Sequence, residues 1–156
     1  MLNNFNVYDY KKYEVIEHLS DVMLKVYGRS LKELFENAAE GMFSLITDIG
    51  NIKETIIKKI NIVIKENMQP EDLLITWLEK LLFLNEINNF IFSDFKIINF
   101  TNDDSESKIN AVLKGEKINL KKHEIFLQIK APTYHNLKII KDSNTGILST
   151  KIVFDV

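Results

Sequence analysis

The chain has 156 residues, 46% hydrophobic and 27% charged, with a formal net charge of −2. That is the size of one domain with apolar mass for its own core, and the near-neutral balance provides no bulk field for nucleic acid. With no cysteine, disulfides, thiolate metal sites and thiol nucleophiles are excluded. A reducing compartment suits such a chain, and no apolar run approaches the ~20 residues that span a bilayer, so a cytoplasmic protein is expected.

Residues 1–11 are polar and mixed, unlike a signal peptide, and read as an N-terminal extension; residues 12–156 read as the domain. Residues 12–17 and 21–27 predict two short strands. In the second, Val22, Leu24 and Val26 alternate with Met23, Lys25 and Tyr27, the period of a half-buried strand. Gly28 punctuates it. Ser30 and Glu33 then have capping-box spacing. Leu31, Leu34, Phe35, Ala38, Ala39, Met42, Phe43 and Ile46 recur three and four residues apart, as the apolar face of a helix does, with Gly50 as its stop.

Residues 53–66, rich in Ile and Val, predict a strand. Pro70 with Glu71 and Asp72 suits the start of a second helix, whose stripe runs through Leu73, Leu74, Trp77, Leu78, Leu81, Leu82 and Leu84. Strands are expected again at 91–100, 108–114, 116–120, 124–130, 136–141 and 147–154. Residues 102–106 and 143–146 are turns between them, and Lys114-Gly115-Glu116 is a hairpin signal. Two helices and many strands without regular alternation predict an α+β fold: a single domain of mainly antiparallel or mixed sheet with two packed helices.

The residues exclude more chemistry than they suggest. No Ser occupies a Gly-x-Ser-x-Gly elbow, and five ungrouped glycines form no phosphate-cradling loop. His18, His123 and His135 are scattered, unlike zinc ligands. Carboxylates remain. Asp21 begins one predicted strand and Asp155 ends the last. If those strands are neighbours, the two side chains converge with the main chain of Val156, an oxygen set suited to Ca²⁺, Mg²⁺ or Mn²⁺. Spacing alone favours the plainer reading of two ordinary strand-end acids. Lys130, beside a Pro-restricted turn, is a mobile positive charge suited to a phosphate or carboxylate; spacing alone again favours a plain solvent-facing Lys.

A larger pattern joins these residues. It comprises Tyr13-Glu14, His18-x-x-Asp21-Val22, Gly28-x-Ser30-Leu31-x-Glu33-Leu34-Phe35-Glu36-x-Ala38-Ala39, Met42-Phe43 and Ile46-Thr47-Asp48. Leu73-Leu74-x-x-Trp77-Leu78, Gly115-Glu116, Ile129-Lys130-Ala131-x-Thr133-Tyr134-His135 and Asp155-Val156 complete it. In order and spacing this set resembles the archease family, small proteins that assist RtcB-type RNA ligases in tRNA splicing and RNA repair. The family usually has His-Thr-Ala-Asp where this chain has His18-Leu19-Ser20-Asp21.

The resemblance implies an accessory protein, not an enzyme. It would speed guanylylation of the ligase by GTP and permit multiple turnover. Asp21, Asp155 and the main chain of Val156 would hold a divalent cation. Asp48 and Lys130 would belong to the activating surface, and His18 would orient the loop carrying Asp21. Contact with GTP or RNA would be transient and confined to the complex. The competing expectation is a chaperone-like interaction module without metal, marked by an exposed apolar patch. An autonomous metal-dependent hydrolase lacks a general base of evident geometry beside the Asp pair.

Overall fold

The structure, a computed structural model, describes residues 10–17 and 21–156. His18 lies outside the described residues. Two antiparallel sheets and two helices make the fold, so the α+β expectation holds.

The first sheet contains β1 (Tyr13–Glu17), β2 (Val22–Gly28), β8 (Leu148–Asp155) and the two-residue strands β6 (Ala131–Pro132) and β7 (Ile140–Lys141). Its order is β1-β2-β8-β6, with β7 also on β8. The second contains β3 (Ile56–Ile64), β4 (Phe90–Asn102) and β5 (Ser107–Lys117), with β5 central. Helix α1 (Leu31–Ile46) lies between the sheets, against β2 on one side and β4 on the other. Its small residues permit the close side: a Cβ at Gly41 would fall 2.5 Å from Leu24 Cδ2. Its large residues fill the other side. Phe43 meets Phe95 with ring centroids 5.1 Å apart, and Phe35 meets Phe100 edge-on at 5.1 Å, an arrangement aromatic rings prefer. Helix α2 (Pro70–Asn88) closes the core, and buried Trp77 donates its indole N–H to the Phe35 carbonyl at 2.9 Å. No helix among the described residues is long and apolar enough to cross a membrane.

The helix starts follow the sequence signals. Ser30 Oγ accepts the Glu33 N–H, while Glu33 Oε2 accepts the N–H of Arg29, one residue earlier than a capping box requires. Gly50 does not stop α1. The helix ends at Ile46, and Asp48 opens a separate 3₁₀ turn, Ile49–Asn51, that contains Gly50.

The hairpin expected at Lys114-Gly115-Glu116 is absent, because β5 runs straight through Gly115. The glycine serves a close approach: a Cβ there would lie 1.9 Å from the Ile91 carbonyl oxygen, beside a bulge in β4. The turn joining β4 to β5 is Asp103–Glu106, where Asp103 Oδ1 accepts the N–H groups of Ser105 and Glu106. Residues 116–120 form no strand beyond Lys117. Residues 124–130 form no strand: Ile125 makes an isolated bridge with Thr47, and the Phe126 and Lys130 N–H groups donate to the Ile46 and Asp155 carbonyls. Their alternation arises because Leu127 and Ile129 point into the core while the segment crosses the end of α1. The strand expected at 136–141 shrinks to β7, and the strand expected at 53–66 is β3.

Candidate functional site at the paired strand ends

β2 and β8 pair from Gly28↔Leu148 to Val22↔Phe154. Asp21 is the residue before β2, and Asp155 is the last residue of β8. Alternation along each strand decides which way these acids face. Leu24 and Val26 on β2, with Ile152 and Phe154 on β8, enter the core. Asp21, Met23, Val153 and Asp155 therefore belong to the opposite face. Both acids are exposed, and neither forms a hydrogen bond or ion pair through its carboxylate among the described residues. Two carboxylates at the ends of neighbouring strands repel when close, and a cation between or beside them would relieve that repulsion.

β6 brings the predicted Lys to the same place. Ala131 pairs with Asp155, and the Lys130 N–H donates to the Asp155 carbonyl at 2.8 Å. The Lys130 side chain is exposed, as is Val156, the residue after β8. The backbone of Lys130 thus adjoins that of Asp155, next to Val156. Asp48 is held differently. Its Oδ1 accepts the Gly50 N–H at 3.0 Å, and no hydrogen bond or ion pair joins it to Asp21 or Asp155 among the described residues. α1 runs back along β2, with Leu34 beside Gly28 and Gly41 beside Leu24, so the helix end carrying Asp48 points toward the Asp21 end of the sheet.

Next to Asp21 is a cleft of about 410 Å³ lined by Met23, His135, Asn136, Lys151 and Val153. His135, one of the three scattered histidines, lines this cleft. Its place is fixed by the loop after β6, where Thr133 donates both its N–H and its hydroxyl to the Val153 carbonyl. Asn136 follows with a left-handed φ of 51°, a conformation Asn tolerates. The signal was the adjacency of His135 to the Lys130-Ala131-x-Thr133 run. A second cleft, about 670 Å³, lies between β7 and the start of β1 and includes Lys25, Tyr27, Lys141 and Asp142. There Asp142 is committed to its own turn, its Oδ1 accepting the N–H groups of Asn144 and Thr145.

Among the described residues no group of three or more His, Cys, Asp and Glu side chains could hold a metal. The set at the strand ends is smaller and different: two carboxylates with main-chain oxygen. Oxygen-only donors of this kind fit a hard divalent cation and not a thiophilic or imidazole-preferring one.

The class so defined is a two-helix α+β domain with an acidic, solvent-facing strand end. Residues 13–156 match the Archease protein family (MTH1598/TM1083). The chain is 35% identical to the protein archease of Methanosarcina acetivorans, covering 86% of this chain and 90% of that one. It is 33% identical to that of Methanosarcina mazei, covering 94% and 97%. The solution structure of Methanobacterium thermoautotrophicum protein 1598 superimposes with a TM-score of 0.75 at 26% identity, covering 93% of this chain and 99% of that one. The chain belongs to the archease family.

Proposed function

We propose that this protein activates an RtcB-type RNA ligase in tRNA splicing and RNA repair, promoting guanylylation of the ligase by GTP and repeated turnover. The observation that carries the reading is the β2–β8 register, which ends at Val22 and Phe154, the neighbours in sequence of Asp21 and Asp155. The Asp21 and Asp155 carboxylates and the Val156 main chain would hold a divalent cation. When bound, such a cation supplies positive charge for phosphate groups, and phosphoryl transfer is governed mainly by positioning and charge stabilisation. The chain's own work is to fix the two acids at the ends of paired strands. It also ties the Asp155 carbonyl to Lys130 and keeps the Lys130 ammonium free to meet a phosphate or an acidic partner surface. Asp48 and His18 would contribute to the surface presented to the ligase.

The test mixes the protein with ligase and GTP and follows formation of the covalent ligase–GMP adduct without RNA. Cation binding is measured in parallel by titration calorimetry. Asp21→Asn and Asp155→Asn should each weaken cation affinity by at least about tenfold and slow adduct formation, while Lys130→Ala slows it with cation affinity intact. An Asp variant that stimulates like wild type removes the strand end from the mechanism.

A further inference from the structure

The second sheet is covered by helices on one face only. On β3, Ile60 and Ile62 enter the core, as do Ile109, Ala111 and Leu113 on β5. The intervening residues face out. They form rows across the sheet: Lys59, Val112 and Lys96; Asn61, Asn110 and Asn99; Val63, Lys108 and Thr101; Ile57, Lys114 and Asp94. Four lysines thus stand on one face with Asp94 and, one step further along β5, Glu116, which is bonded to Lys122 and His123, in a chain whose net charge is −2. None of Lys59, Lys96, Lys108 and Lys114 forms an ion pair among the described residues. In the middle, Asn110 donates to Asn61 and Asn99 donates to Asn110, a polar ladder across the centre of the face.

We infer that this face is a sequence-independent docking surface for the phosphate backbone of RNA. Lys59 and Lys96 flank Val112 at about 10 Å, two strand spacings, and Lys108 and Lys114 stand about 20 Å apart along β5. Lys59, Lys96 and Lys114 each lie within about 10 Å of a neighbour, close to one Debye length of ~8 Å in physiological salt, so their fields overlap, while Lys108 extends the row at about 14 Å from the nearest of them. Lysine and asparagine are donors to phosphate and sugar oxygens, contacts that position a nucleic acid without reading its bases. The face carries no aromatic ring and no arginine, the residues that anchor protein–protein interfaces, and lysine is depleted in such interfaces. An extended polyanion fits these features and an acidic protein surface does not. The choice of RNA over other polyanions rests on the ligase reading above; the charge pattern itself does not.

The test is fluorescence anisotropy of a labelled 20-nucleotide single-stranded RNA with the full chain, between 50 and 200 mM KCl. Binding should weaken with salt on a log–log slope of about −3, as for four neutralised phosphates on a single strand. The variant carrying Lys59→Gln, Lys96→Gln, Lys108→Gln and Lys114→Gln should lose at least about tenfold in affinity and most of the slope. A control carrying Lys121→Gln and Lys138→Gln should bind like wild type. Amide chemical shifts of the unmodified protein provide a readout independent of any variant: RNA should move resonances of β3, β4 and β5 and leave β1, β2 and β8 in place. No binding at 50 mM KCl, equal binding by the fourfold variant, or displacement at these amides by poly-glutamate but not by RNA would overturn the inference. Ligase–GMP formation without RNA is unaffected by this face. A protein that stimulates that step but fails to bind RNA refutes the docking surface alone; one that binds RNA but does not stimulate refutes the ligase reading alone.

Discussion

Replacing Glu116 with Ala should cost about 2–4 kcal/mol of stability, although Glu116 is far along the chain from the proposed cation site. One oxygen of Glu116 collects three donors: Lys122 Nζ at 2.6 Å, His123 Nε2 at 2.6 Å and the Lys53 N–H at 3.0 Å. The Asn119 N–H donates to His123 Nδ1 at 2.9 Å, which puts the neutral ring's proton on Nε2, facing the carboxylate. The His123 side chain is 1% exposed, against 35% for Lys122. Truncation therefore strands one buried donor, at a cost of about 1–3 kcal/mol, while the Lys53 and Lys122 donors turn to water and cost about 1 kcal/mol together. Urea denaturation measures the sum. The midpoint should fall by about 1–2 M with unchanged m, and the melting temperature by about 6–12 °C. A loss below about 0.5 kcal/mol would refute the network as a support for residues 118–128. The pH dependence is a second check. Desolvation pushes the Glu116 carboxyl up, but bonds from Lys122, the Lys53 N–H and His123 outweigh it and bring the pKa down to about 2. The folded state therefore binds fewer protons than the unfolded state between the ordinary carboxylate range and pH 2. The stabilisation is complete above the unfolded value and is lost as pH falls toward 2. Glu116→Gln should flatten that acid limb.

Gly115→Ala should destabilise by more than about 4 kcal/mol, among the largest single-residue effects. The new methyl would meet backbone atoms of Ile91 and Phe92 on the neighbouring strand, which cannot move without opening the sheet; a urea midpoint within 0.5 M of wild type would contradict this. Glu36→Gln should have the opposite pH signature from the Glu116 variant. Desolvation raises the Glu36 carboxyl pKa despite the bond its Oε2 accepts from the Ile97 N–H. Its contribution is present below the unfolded pKa and is lost as pH rises through the folded one, so the amide should keep the hydrogen bond and remove that loss. Stability profiles of the two proteins from pH 3 to 7 should diverge upward in favour of the variant.

The helices and β2 were legible because each has one apolar side and a chemical boundary. β2 alternates cleanly, α1 begins at Ser30, and α2 begins at Pro70. Gly115 was misread because a glycine between charged residues has the same local signature at a turn and at a strand crossing; the Ile91 backbone that explains it is remote in sequence. Residues 124–130 were misread because alternation reports which side chains are covered, not whether the backbone is paired. That β2 and β8 are neighbours was statable only as a condition, since their pairing joins strands far apart in the chain. His135 and Lys151 came to the same cleft through that pairing and the loop after β6, neither of which has a local signature. The lysines of the second sheet were hidden by a net charge that averages over both faces.

β8 fills a central place in its sheet, yet about 120 residues of chain separate it from β2, its neighbour there. At 5–20 residues per second, β2 waits roughly 6–24 s for its neighbour while about 120 intervening residues emerge. Until then the nascent β1–β2 hairpin has an open rim, and two strands alone are marginal in water. α1 is available within that interval and can shelter the apolar side of β2, leaving only the unpaired rim for other chains to find. Slower translation or a truncated message should therefore expose this hairpin first, and aggregation of incomplete chains should begin there.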